Sequence, residues 1–341
     1  MTPAHPVLWW TLLLSLLALP AVAAQPEEGS PQAPAVEGPA EPGIAEDPDT
    51  GELYYVDHQG IPLTPQDDPD YPSHAVERFD FARIINQDPR LDGTGDEAVW
   101  AAVPDHTVPL YTPGTSFTNP AGTLHVKGFH NGRIVYFLCV WQDPSYDDAQ
   151  GTFVWSAGQR RYIDGPEDQD ALQLLWKFSG DFWGYRLKGA GCAGDEWRWG
   201  AALTNTTGYA EDRWRVHLRA QETGLPQETL KAEDGRPVYV SAPGDQGSSC
   251  YRWLPAPVAY EGDRAANVEW REPIGSAADV RARGVFTRGS GWTVEVARFL
   301  LTDNEDDRQL QTNERMDVAF QVVDGSGATL VSEVYAIRLL E

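Results

Sequence analysis

The stretch from Gly165 to Trp214, GPEDQDALQLLWKFSGDFWGYRLKGAGCAGDEWRWGAALTNTTGYAEDRW, constrains the fold more than any other. Ala171 to Phe178 is a near-continuous apolar run of strand length, preceded by the acidic EDQD, and predicts a strand buried on both faces. Glu196 to Leu203 alternates instead. Trp197, Trp199 and Ala201 take one face, and Arg198, Gly200 and Ala202 the other. At Gly200 the second face is left open to a flat ligand, another backbone or simple close packing.

Similar runs recur at Leu124 to Phe129, Arg133 to Trp141, Gly151 to Trp155, Val238 to Ser241, Val280 to Phe286, Trp292 to Arg298, Asp317 to Val323 and Leu330 to Leu339. Turn residues separate them, and Asn131-Gly132 predicts a tight hairpin. Long amphipathic helical patterns are scarce, so the expected fold is all-β, a two-sheet antiparallel β-sandwich with few short helices.

Three segments precede or form this domain. Residues 1–24 read as an export signal, with an apolar run from Val7 to Leu19 followed by Pro20 and small residues. That run is short for a membrane span, so no stable span is expected after cleavage, and the expected location is periplasmic or secreted. Residues 25–77 carry thirteen Asp or Glu and no Lys or Arg, the composition of an extended acidic, Pro-rich linker. Within it, Leu53 to Val56 is a patch able to dock on a surface. Residues 78–341 form the domain. The net charge of −25 and only four lysines exclude a nucleic-acid partner, which clustered cations would have to hold.

The central block resembles the ethylbenzene dehydrogenase gamma-subunit family, the haem-binding domain of DMSO-reductase-type complexes. The resemblance lies in GDEWRWGAALTNTTGYAEDRW and in EDQDALQLLW before it. It extends to Leu91-Asp92-Gly93 with Trp100, to VYFLCVWQDP (135–144), to Gly291-Trp292-Thr293-Val294-Glu295 with Arg298, to the acidic loop Asp303 to Asp307, and to Val318-Ala319-Phe320 ending at Asp324-Gly325.

The resemblance implies an exported β-sandwich carrying haem b, with methionine and lysine on the iron, that passes electrons between a redox partner subunit and a soluble cytochrome. It implies an electron-transfer subunit at most, not an enzyme in its own right. The family methionine aligns with Leu175 and the family lysine with Gly327-Ala328-Thr329, neither of which ligates iron. Substitute ligands are sought at His125, Lys127 and Met316, with His130 at the turn and His217 as a surface or satisfied residue. Trp176, Trp197 and Trp199 are candidates for a haem pocket.

Other chemistry is sparse. No Cys-x-x-Cys-His, serine elbow, zinc motif or phosphate loop occurs, and no catalytic residue is assigned. Cys139 reads as a buried thiol, while Cys192 and Cys250, in small-residue loops, are expected to pair as a disulfide. The acidic groups at Asp143, Asp147 and Asp148 and at Asp303, Glu305, Asp306 and Asp307 read as solvated turns rather than calcium loops. Asn205-Thr206-Thr207 fits a glycosylation acceptor. The second function considered is a haem-free carbohydrate- or partner-binding module. It would use indoles among Trp155, Trp176, Trp183, Trp197, Trp199 and Trp214, and its mark would be a flat exposed indole beside Asp, Asn or Arg.

Overall fold

The computed structural model describes residues 43–46, 53–56, 73–188, 191–218, 220–221 and 226–341. The export signal lies outside the described residues, as does most of the acidic linker. Within the linker, Gly43–Glu46 and Leu53–Val56 pair as an antiparallel hairpin, so the apolar patch is its second strand.

Among the described residues, thirteen strands join in one sheet, twelve along a continuous path and one branching from it. They are β1 (Arg78–Arg83), β2 (His106–Leu110), β3 (Gly122–His130), β4 (Ile134–Trp141), β5 (Ala171–Gly180), β6 (Cys192–Gly200), β7 (Glu211–Leu218), β8 (Glu228–Lys231), β9 (Pro237–Ser241), β10 (Arg281–Thr287), β11 (Gly291–Phe299), β12 (Arg315–Val323) and β13 (Thr329–Leu339). One layer runs β8-β9-β7-β6-β5-β12-β13, and the other holds β2, β3, β4, β11 and β10. β1 joins them, pairing parallel with β13 on one side and β3 on the other, while the other pairings are antiparallel. The all-β sandwich expected from alternation is therefore present, with its two layers continuous through one strand.

The reason lies in the side chains. β5 is buried along nearly its whole length, as its unbroken apolar run requires. Its Leu172, Leu174 and Trp176 face Phe137 and Trp141 of β4 and Trp292 of β11 across the core. The Asn131-Gly132 hairpin closes as its chemistry demands: Asn131 Oδ1 accepts the N–H groups of Arg133 and Ile134, and Gly132 takes φ +94°. Gly128 lets β1 reach its place, because a Cβ there would lie 1.9 Å from the Phe81 ring.

Two motifs about two hundred residues apart meet at one carboxylate. Glu295 is fully buried; its Oε2 accepts the N–H groups of Asp92 (3.1 Å) and Gly93 (2.7 Å), and its Oε1 accepts Trp100 Nε1–H (3.0 Å). Burial, outweighing these donors, raises its pKa from 4.5 to about 7. The folded state therefore keeps a proton that the unfolded chain has released, and this contribution to stability falls as pH rises from about 4.5 through 7. Glu295→Gln is expected to flatten the decline in urea midpoint across that window. A decline equally steep in the variant would remove Glu295 as its source.

Candidate functional site

The three tryptophans proposed for a pocket are core. Trp176 and Trp197 pack with ring centroids 5.1 Å apart, and Trp199 meets Trp292 edge-on at 4.8 Å. All are at most 1 % exposed. The indole of Trp199 is fixed by Asn205 Oδ1 at 3.1 Å, and the same oxygen accepts Gly284 N–H at 2.8 Å. Asn205 thus locks the core within this motif. The space beside Gly200 is taken by Gln169, whose Oε1 would lie 2.6 Å from a Cβ there, so the glycine serves close packing.

The substitute haem ligands do not converge. Met316 is fully buried in the inter-layer core. His125 is half-exposed on β3 and meets Asp105 at 3.2 Å. Lys127 Nζ donates to the Trp100 carbonyl at 2.8 Å, on the face of β3 opposite Val126 and Leu124 of the core. His130 is buried and bonded to the Leu340 carbonyl.

The two family positions fare no better as a ligand pair. Leu175 points away from Trp176 to the outer face of its layer and packs with Phe182, Tyr185, Ala319, Val331 and Val334. Thr329 lines a nearby cavity of about 430 Å³ on that side, whose walls include Phe117, Tyr185, Arg186, Arg215 and Lys231. Those walls are rich in charge: Arg186 lies over Phe117 and forms an ion pair with Glu233. The haem that the family resemblance implies takes two axial donors, a methionine and a lysine. Here Leu175 and the stretch Gly327-Ala328-Thr329 stand at those positions, and Phe182 and Tyr185 pack over Leu175, so the residues present do not fit that ligation.

One further expectation is corrected. Cys192 and Cys250 do not form a disulfide: all three cysteines are buried free thiols. Cys192 sits on β6 opposite His217, whereas Cys250 packs in a separate cluster with Leu203, Tyr209 and Val268. Of the two readings of His217, surface or satisfied, the structure gives the second. His217 is 2 % exposed, accepts from Arg215 Nε at 3.2 Å, and is held neutral by burial and that guanidinium, its pKa lowered to about 3.

The acidic loop also departs from its reading as a solvated turn. Asp307 is buried beside Asp195, Asp212 and Arg298; burial pushes all three carboxyls upward, and the charge of Asp195 adds to the rise at Asp212 and Asp307.

The half-exposed indoles lie in a segment without a readable strand signal. Between residues 247 and 275 the chain forms two small ribbons, Gly247–Ser248 with Ile274–Gly275 and Tyr251–Trp253 with Val268–Trp270. In the second, Tyr251 faces Trp270 and Trp253 faces Val268, so Trp253 and Trp270 are diagonal neighbours on one face. They are 51 % and 45 % exposed. Trp270 Nε1–H donates to the Leu203 carbonyl at 3.0 Å, and Trp253 stands edge-on to Tyr251, whose hydroxyl donates to Glu211. Arg252 and Glu269, next to the two indoles in sequence, form an exposed ion pair. Close by in sequence, Tyr260 stands 57 % exposed, edge-on to Trp155 and bonded to Asp263. Of the indoles listed from sequence, Trp155, Trp183 and Trp214 are partly buried, and Trp253 and Trp270 were missed because three-residue strands carry no readable period.

Among the described residues no helix is long and apolar enough to cross a membrane. Comparison with solved structures finds a family 9 carbohydrate-binding module from Caldicellulosiruptor kristjanssonii in complex with cellotriose, 13 % identical, covering 77 % of this chain and 94 % of that one at a TM-score of 0.35. A putative carbohydrate-binding protein from Bacteroides uniformis is 6 % identical, with 77 % and 99 % covered and a TM-score of 0.35. No curated protein matches. A family model described as ethylbenzene dehydrogenase matches residues 96–334. With most of the domain matched, including the strands that carry Leu175, Trp197 and Glu295, this chain belongs to the ethylbenzene dehydrogenase family.

Proposed function

We propose that this chain is a haem-free member of its family that works outside the cytoplasm as a carbohydrate-binding β-sandwich, with no catalytic role of its own. The observation that carries the reading is the pair of half-exposed indoles, Trp253 and Trp270, on one face of a short ribbon. An indole offers a flat apolar face to the C–H side of a sugar ring, and such a platform works best when its rings are already fixed. Trp270 is fixed by its bond to Leu203, and Trp253 by its contact with Tyr251. Arg252 and Glu269 form their ion pair on the opposite face of the ribbon, so the indole face itself carries the reading.

The test is affinity electrophoresis of the full chain in gels containing soluble β-glucan, xylan or mannan. Retardation is expected in at least one, and Trp253→Ala is expected to weaken it severalfold, since it removes the apolar area that the ring would bury against the sugar. No retardation in any gel, or full retardation by the variant, defeats the reading. The haem-free half has its own test, the absorption spectrum of protein made in haem-replete cells. A stoichiometric Soret band would restore haem b and electron transfer to a redox partner. Lys177, almost fully buried on the same strand face as Leu175, would then be the first residue to replace.

A further inference from the structure

Two groups of three aspartates have ligand oxygens within 4.8 Å of one another, and they differ in one respect. In the group Asp143, Asp170 and Asp324, N–H donors hold the carboxylates. Asp170 accepts Trp292 Nε1–H (2.8 Å), Asp147 N–H (2.9 Å) and Gly325 N–H (2.9 Å); Asp143 accepts Ser145 N–H (3.0 Å), and Asp324 accepts Ser326 N–H (2.8 Å). That group is a staple of loops and needs nothing more.

The group Asp195, Asp212 and Asp307 is buried throughout and lacks those donors. Asp212 is 2 % exposed, and its carboxyl meets no donor apart from the neighbouring carboxyls of Asp195 and Asp245. Asp307 is equally buried, and its nearest cationic atom is Arg298 Nη1 at 3.5 Å. Asp195 uses Oδ2 for Arg298 Nη1 (2.6 Å) and Arg308 N–H (2.8 Å), leaving Oδ1 without an N–H donor. At the rim, Asp245 donates its N–H to the Asp212 carbonyl (3.3 Å), and both its carboxylate oxygens are buried without an N–H donor. Four carboxylates therefore surround a single guanidinium. Nature rarely leaves such oxygens bare, because each uncompensated buried charge is costly.

The donor set is oxygen alone, without imidazole or thiolate, which selects a hard cation. The ligands come from β6, β7 and two irregular loops rather than from a rigid octahedral frame, which favours calcium over magnesium. We propose that Asp195, Asp212 and Asp307, with Asp245 at the rim, hold one calcium ion. The ion fastens the acidic loop 303–307 and the loop around Asp245 to the inner face of β6 and β7. Asp306 already links the same two loops by accepting Gln246 N–H (2.8 Å), and it accepts Ser276 Oγ–H as well (2.8 Å). This site lies apart from the indole ribbon, and neither proposal depends on the other.

The experiment strips the full chain with a chelator, then compares melting with and without calcium chloride and counts bound calcium by native mass spectrometry. One calcium per chain is expected, with a melting temperature raised by about 5–10 °C when calcium exceeds its dissociation constant about a hundredfold. Asp212→Asn keeps shape but removes an anionic ligand, and it is expected to abolish the shift, whereas Asp143→Asn in the other group retains it. A wild-type chain whose mass and melting ignore calcium overturns the proposal. So does a shift that survives in Asp212→Asn, or one that magnesium reproduces in full.

Discussion

Arg298→Ala is expected to cost about 3–5 kcal/mol of unfolding free energy, the range found when one partner of a buried ion pair is removed. For a domain this large, that lowers the melting temperature by roughly 10 °C or more. The guanidinium is completely buried, bonds to Asp195 and to the Arg308 carbonyl, and lies 4.6 Å over the Trp197 ring. Removing it strips a guanidinium from Asp195 and Asp307 and takes a stacking partner from an indole. Arg298→Met separates the two effects, since it keeps an apolar stem over Trp197 without the charge. Urea unfolding followed by tryptophan fluorescence measures both. A loss under about 1 kcal/mol in the alanine variant would mean that the carboxylates are neutralised by something other than Arg298.

Trp197→Ala is the second large effect, expected at about 3–5 kcal/mol, as for other fully buried aromatic truncations. The ring fits among Trp176, Phe137 and Arg298, contacts that reach both layers of the sandwich. The deletion leaves a cavity that rigid strands on both sides cannot close. The same unfolding measurement decides between two roles for this residue. A pocket-lining indole held in reserve for a ligand would be lost with little change in the free chain's stability, whereas a structural one would not.

The long strands were legible because their signals are local. The apolar run of β5, the alternation of β6 and the Asn-Gly turn before β4 each sit within ten residues, and the structure places them within a few residues of the reading. β1 was not read. RFDFAR does alternate, but it is short and charged, and what makes it a strand is a pair of partners far along the chain.

Burial of charge was the other thing the sequence hid. Arg213 and Arg215 gave β7 the look of a wet face, yet both lie against Glu196, a fully buried carboxylate, and they take His217 inside with them. Asp307 likewise looked solvated within a run of acids, and only the fold brings Arg298 to it. An acidic residue has the same one-letter code at the surface and in the core. Its partner decides which it is, and Arg298 is nine residues from Asp307 but 103 from Asp195.

β1 has a consequence for how this protein comes into being. It pairs with β13, bringing Asp80 to Arg338 across 258 residues of chain. Such pairing is slow, because the loop must close before any contact rewards it. The first strand of the sandwich therefore waits for β13, and the seam between the two layers closes only after it, whereas the local antiparallel pairs β3-β4 and β5-β6 need no such wait.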